Sequence, residues 1–235
     1  MKEIINHMLQ LLYPRRCPGC DRILKKEEKI LCDSCIKSIK MLKGNRCLFC
    51  GRPMRSRFET TCAQCLEKKH SFEESLAPFS YSGSIQDSLL RFKYHGRAEY
   101  AAFYARCIWE YGRTRISKWD ADVIVPVPVH RSRFEKRGYN QAALIAGELS
   151  TLSGISVRED LVRRKKKTKA QKELGAAQRK KNMEQAFEYS GKGDAPKKIL
   201  LVDDIMTTGS TADTLSELLK ENGAQKVYLV CAALS

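Results

Sequence analysis

ILLVDDIMTTGST, residues 199–211, passes from four apolar residues through two carboxylates into a loop of small and hydroxylated residues that opens a helix. Four consecutive apolar residues call for burial on both faces, which a strand receives inside a parallel sheet covered by helices. Asp203 and Asp204 then fall at the carboxyl end of the strand, where open α/β sheets bind their ligands. Thr207, Thr208, Gly209, Ser210 and Thr211 offer backbone N–H groups and hydroxyls to a phosphate. The start of the following helix adds a partial positive charge of about half a unit. Carboxylates repel phosphate, so Asp203 and Asp204 suit ribose hydroxyls or a Mg²⁺ shell instead. The spacing thus describes a site for a ribose 5-phosphate. The competing reading is an ordinary strand–turn–helix with Asp204 and Thr207 as turn and cap residues. Paired aspartates behind a fully apolar strand argue against it. A nucleoside-triphosphate P-loop is excluded, since that motif places Lys before its Ser/Thr and Gly209 is followed by Ser210.

The same alternation extends on both sides. Ala77–Tyr81 predicts a short strand, residues 84–94 and 98–116 predict helices, and Val123–Val129 (VIVPVPV) is a β-branched apolar run. Asn140–Leu152 reads as a helix and Ile155–Val157 as a brief strand. Beyond a basic segment, Ala186–Tyr189 and Lys198–Val202 (KILLV) are further strands. Ser210–Glu221 is a helix closed by Gly223, and Lys226–Ala233 (KVYLVCAA) is the last strand. The expected fold over residues 71–235 is α/β, a mostly parallel sheet with helices on both faces.

Residues 17–70 follow a different rule. Eight of the ten cysteines form four Cys-x2-Cys pairs, Cys17/Cys20, Cys32/Cys35, Cys47/Cys50 and Cys62/Cys65, whose starts lie 15 residues apart. Each pair makes a tight turn that points two sulfurs at one metal, and two such turns complete a tetrahedral thiolate shell suited to Zn²⁺. With all four positions filled, such zinc is structural, and two ions are expected. A segment of about 55 residues has too small a core to fold well alone, which the metal offsets. Adjacent pairing gives two successive ribbons and interleaved pairing gives a cross-braced unit. The 11-residue spacers close a local ribbon easily, so the adjacent scheme is preferred. Cys107 and Cys231 read as core residues rather than nucleophiles.

The formal net charge is +16, with sixteen Lys/Arg against seven Asp/Glu in residues 1–70. Two four-thiolate zinc sites lower the total to about +12, which still favours polyanionic partners. No apolar run approaches the ~20 residues needed to span a bilayer. Ile4–Leu12 is broken by Asn6, His7 and Gln10 and has neither a basic leader nor a small-residue cleavage site. The expectation is a short amphipathic helix over residues 1–16 in a cytoplasmic protein.

ILLVDDIMTTGST resembles, at every position, the phosphoribosyl-diphosphate motif of type I phosphoribosyltransferases. Together with LLRFKYHGR at 89–97, VPVPVHRSRFEKRGYNQ at 125–141, RRKKKTKAQKELGAAQRKKN at 163–182 and the four cysteine pairs, it is similar to the ComF family of ComFC- and GntX-like proteins. That resemblance implies a phosphoribosyltransferase-type domain behind a double zinc ribbon, binding phosphoribosyl diphosphate with Mg²⁺. It places a pyrophosphate loop at Val129, His130 and Arg131, with Arg137, Asn140 and Gln141 near the next helix. It makes 163–182 a hood over the diphosphate, with Arg164, Lys165, Thr168 and Gln171 as its polar groups. It further implies handling of single-stranded DNA in natural transformation, beside helicase-like and recombination proteins. Phe49, Phe58, Phe72, Phe92 and Tyr94 are candidate stacking residues, although most aromatics belong to cores. An active transferase with an unidentified acceptor is the alternative. Thr207 stands where some purine-salvage relatives carry an acid, which weakens an oxopurine assignment, and His95 and His130 are conceivable bases.

Overall fold

The structure, a computed structural model, describes residues 14–54, 58–165 and 186–235. Two short helices belong to the cysteine-rich part, α1 (Asp33–Ser38) and α2 (Ala63–Glu67). Next come β1 (Ser75–Leu76), β2 (Phe79–Ser80), α3 (Gly83–Tyr94), α4 (Tyr100–Trp119), β3 (Val123–Pro126), α5 (Arg131–Arg137) and α6 (Gln141–Ser153). The chain continues through β4 (Val162–Arg164), β5 (Phe187–Tyr189), β6 (Lys198–Met206), α7 (Ser210–Glu221) and β7 (Lys226–Leu234). Most of the expected 1–16 helix lies outside the described residues, as do Thr168 and Gln171. Among the described residues no helix is long and apolar enough to cross a membrane.

A five-stranded, wholly parallel sheet organises the domain. Its path is β1–β7–β6–β3, with β2 also pairing β7. The central strands alternate with period two, as a sheet covered on both sides must. Ile199, Leu201, Val227 and Leu229 face α7, through Leu215 and Leu219. Leu200, Val202 and Val230 face the opposite layer, where α3, α4 and α6 supply Leu89, Tyr104, Ile108 and Ile145.

Several local expectations are corrected. The strand expected over Ala77–Tyr81 is split at Pro78, which has no N–H to give a ladder. The run Val123–Val129 leaves the sheet after Pro126, with Pro128 again lacking a donor. Of Ile155–Val157 only Val157 makes a bridge, to Ile124. Phe187–Tyr189 is a strand, but it pairs antiparallel with β4 in a separate two-stranded sheet. β6 continues four residues past Val202 because β7 keeps pairing with it, so Asp203, opposite Cys231, is itself on the ladder and Asp204 lies within the strand.

The two ribbons repeat one geometry at a 30-residue offset: Arg16 bridges Ile23, and Arg46 bridges Pro53. The turn after each first Cys-x2-Cys pair needs a left-handed residue, met by Gly51 at φ +70° and by Asp21 at φ +62°. Asp21 uses its carboxylate to dock the first ribbon, accepting from Arg97 Nε at 2.8 Å and from Tyr100 Oη at 2.5 Å. Burial alone would raise the Asp21 pKa, but these donors outweigh it and hold the carboxyl below its ordinary value. Arg91 adds bonds to the carbonyls of Pro18 and Gly19. The second ribbon is more deeply integrated: Cys47, Cys50 and Cys65 lie in the same buried cluster as β6, β7 and α7.

Candidate functional site

Each group of four cysteines brings its sulfurs within 4.8 Å of one another, Cys17/Cys20/Cys32/Cys35 in one and Cys47/Cys50/Cys62/Cys65 in the other. The pairing is therefore adjacent. Tetrahedral zinc with bonds of about 2.3 Å sets sulfur separations near ~3.8 Å. Cys20 and Cys32 stand 3.7 Å apart, and Cys50 and Cys62 stand 3.6 Å apart. Backbone N–H groups of Cys32 and Cys62 donate to the sulfurs of Cys17 and Cys47, each at 3.4 Å, as thiolate ligands require. The donor set fits structural zinc at both positions. Cys107 and Cys231 are buried instead, and burial pushes the Cys107 thiol up to about 12 and the Cys231 thiol higher still. Neither is a thiolate nucleophile at neutral pH.

At the carboxyl end of β6 the chain turns through Thr207–Gly209 into α7. Gly209 takes φ +77°, and a Cβ there would meet His70 Cε1 at 2.8 Å. Thr208 Oγ1 and Ser210 Oγ are 2.9 Å apart, and Ser210 N–H leans on Thr208 Oγ1 at 3.4 Å. The resulting recess is lined by Asp203, Ile205 and Met206, then by every residue from Thr207 to Ala212.

The two carboxylates have different partners. Asp203 Oδ1 accepts from the Asp204 N–H at 2.8 Å. Burial, reinforced by the neighbouring Asp204 charge, pushes the Asp203 carboxyl up to about 7. Asp204 pairs with Lys93 Nζ at 3.1 Å, both side chains being largely buried. Arg164, on β4, lies over the Phe187 ring at 5.1 Å and within electrostatic reach of Asp203. Burial first, then the charge of Arg133, lowers its pKa.

The zinc arm braces this loop from outside. Arg52 Nη2 donates to the Thr207 carbonyl at 3.1 Å. His70 stacks on Phe72 with 4.5 Å between centroids and sets Nδ1 3.0 Å from both carboxylate oxygens of Asp213, in the first turn of α7. Ser71 N–H donates to the same carboxylate at 2.9 Å. Between the second ribbon and Thr207/Thr208 lies a cleft of about 370 Å³, lined also by Arg52, Gln64, Lys68 and His70.

Residues 106–234 match the family model described as a phosphoribosyl transferase domain, and residues 8–66 match that of a double zinc ribbon domain. The chain is 31% identical over 220 residues to competence protein F of Haemophilus influenzae, covering 91% of this chain and 94% of that protein. The chain belongs to the ComF family. It is also 30% identical over 209 residues to competence protein ComFC of Bacillus subtilis, covering 86% of this chain and 82% of that one. To the DNA utilization protein YhgH of Escherichia coli it is 28% identical over 226 residues, covering 94% and 97% respectively.

Within this ComF-family fold the residues expected around the pyrophosphate take distinct places. Val129 precedes α5, and His130 caps it, Nδ1 accepting from Ser132 N–H at 3.1 Å. Arg131 opens the helix and pairs with Glu135 at 2.8 Å on the exposed side. Asn140 caps α6 and ties it to the Val127 carbonyl at 3.1 Å, while Gln141 is buried against Arg137 and the Phe92 carbonyl. Lys165 pairs with Glu188 near the start of the basic segment. His95 caps the end of α3. Of the candidate stacking residues, Phe72 and Phe92 are buried and Phe49 is packed against the core, whereas Phe58 and Tyr94 are exposed. Sequence reasoning missed Lys93, Arg52, His70 and Asp213. Only Lys93 carried a signal, through the matching stretch LLRFKYHGR.

Proposed function

We propose that this ComF-family protein binds phosphoribosyl diphosphate and handles single-stranded DNA during natural transformation on the cytoplasmic side. One observation carries the ligand assignment: a hydroxyl-lined loop with a left-handed glycine opens α7 directly beyond two carboxylates, one held by Lys93. Thr207–Thr211 would receive the 5-phosphate, and Asp203 and Asp204 the ribose hydroxyls. The same carboxylates are the hard oxygen donors that Mg²⁺ takes, and that ion would neutralise diphosphate charge. Val129–Arg131 and the segment from Arg164 and Lys165 through Thr168 and Gln171 would close over the diphosphate. Support for the DNA assignment comes from relatives named for competence and DNA utilization, and from the net charge of +16.

The test of DNA handling is its salt response. If a strand makes about four phosphate contacts, affinity for a single-stranded oligonucleotide falls roughly 50-fold between about 50 and 200 mM salt. Filter binding or anisotropy measures this, and a flat response removes the assignment.

A second reading, an active transferase, is favoured by the match of residues 106–234 to the phosphoribosyl transferase domain model. Incubation with phosphoribosyl diphosphate, Mg²⁺ and candidate nucleobases then releases pyrophosphate. Ligand binding with no release across that panel leaves a binding protein.

A further inference from the structure

The seven residues of α5, RSRFEKR, bury nothing. A helix with no face in the core is held by its ends, here the His130 cap and a Gly138 N–H that donates to the Phe134 carbonyl at 2.7 Å. Yet it displays Phe134, 49% exposed, among Arg131, Arg133, Lys136 and Arg137, with Glu135 as its one acid. Glu135 is engaged by Arg131, and among the described residues neither Arg133 nor Lys136 has a carboxylate within ion-pair distance.

The end of α3 lies alongside. Tyr94 is 54% exposed, and the Arg137 guanidinium sits 4.9 Å above its ring. Arg137 is fixed there by bonds to Gln141 at 2.9 Å and to the Tyr94 hydroxyl at 3.3 Å. The preceding residue, Lys93, is the partner of Asp204, and Arg133 is within electrostatic reach of Arg164, which reaches Asp203 in turn. A strip of cations and aromatic rings therefore leads away from the carboxylate pair.

Among the described residues no carboxylate neutralises Arg133 or Lys136 in that strip. Like charges crowded on a helix with no fully buried residue repel one another, and Phe134 leaves about half of its surface in water. Both features suit a polyanion whose repeating units carry a flat face: phosphates neutralise the cations while bases stack on the rings. A duplex hides its base faces, and an acidic peptide has none.

We propose that α5 and the end of α3 form the platform on which single-stranded DNA lies, bases stacking on Tyr94 and Phe134 and phosphates meeting Arg133, Lys136 and Arg137. This rests on the reading that the protein grips single strands, and it gives that grip a surface separate from the sugar-phosphate recess.

The experiment uses the full, zinc-loaded chain and a fluorescent oligothymidylate, followed by anisotropy. Removing both rings in Tyr94→Ala/Phe134→Ala weakens binding at least about tenfold, since each stacked base is worth roughly 1–3 kcal/mol. Calorimetric affinity for phosphoribosyl diphosphate stays unchanged, and Tyr94→Phe/Phe134→Trp, which keeps the ring faces, retains DNA binding within about twofold. If the wild-type chain binds the oligonucleotide and the double alanine variant binds it equally well, the platform is wrong while the DNA reading stands. If the wild-type chain binds no single strand, the reading itself fails and the platform with it. A blunt duplex that competes as well as the single strand also overturns the stacking assignment.

Discussion

Asp203→Asn with Asp204→Asn abolishes calorimetric binding of phosphoribosyl diphosphate in the presence of Mg²⁺. Hydrogen bonds to charged groups contribute about 1.5–3 kcal/mol each, so losing two carboxylate acceptors lowers affinity by more than ~100-fold. The single change Asp203→Asn adds a second signature, because it separates the cost of the site from its use. The Asp203 carboxyl is pushed from an ordinary 3.8 to about 7, first by burial and then by the Asp204 charge. Between those values the folded protein holds a proton that the unfolded chain has released. Stability therefore falls as pH rises through that window and levels off above the folded pKa. At ~1.4 kcal/mol per pK unit the ceiling is ~4 kcal/mol. Sharing of charge with Asp204 leaves about 2 kcal/mol, half of that ceiling, for Asp203 itself. Asp203→Asn removes that penalty and leaves the Lys93–Asp204 pair in place. At pH 8 its Tm rises by about 5 °C, and its Tm no longer declines between pH 5 and 7. A variant that binds ligand normally, or whose Tm follows the wild-type pH curve, contradicts the assignment of Asp203.

What was legible in sequence divides along physical lines. The parallel sheet was readable because Ile199–Val202 of β6 and Val227–Leu234 of β7 are apolar without interruption, a pattern only double-sided burial rewards. Both cysteine clusters were readable because ligand spacing is local. The recess was readable up to Thr211, again because strand, loop and helix start are contiguous. Its partners were not, since Lys93, Arg52 and His70 approach from three other parts of the chain through tertiary packing. The helix α5 was missed for a different reason. It buries no face, so no apolar period marks it, and its ends are set by a histidine cap and by Gly138. Aromatic residues misled in the same way: composition does not distinguish buried Phe92 from exposed Phe134.

Losing one zinc is expected to differ sharply from losing the other. Cys17, Cys32 and Cys35 form their own small cluster with Leu24, Leu31 and Ile39. That ribbon meets the main domain through Asp21, Arg97, Tyr100 and Arg91, and rests only partly buried side chains, Ile30, Leu31 and Ile39, against its core. Cys32→Ser removes a ligand there, and the ribbon loosens locally while the α/β domain keeps its ligand affinity. Cys47 and Cys65 instead share a buried cluster with Leu201, Leu215 and Leu229. From the same ribbon Arg52 holds the Thr207 carbonyl, and just beyond it His70 holds Asp213 beneath Gly209. Zinc binding is folding energy in such sites. Cys65→Ser should therefore cost the whole domain about 3 kcal/mol, a fall of roughly 10 °C in Tm for a chain of this size. It should also weaken phosphoribosyl diphosphate binding several-fold at temperatures where the domain is still folded, because the loop loses its outer brace. Calorimetric scans and titrations on the two variants, each with its zinc content measured, give the comparison. Equal effects from both would mean that the second ribbon is merely attached to the Thr207–Gly209 loop rather than part of its support.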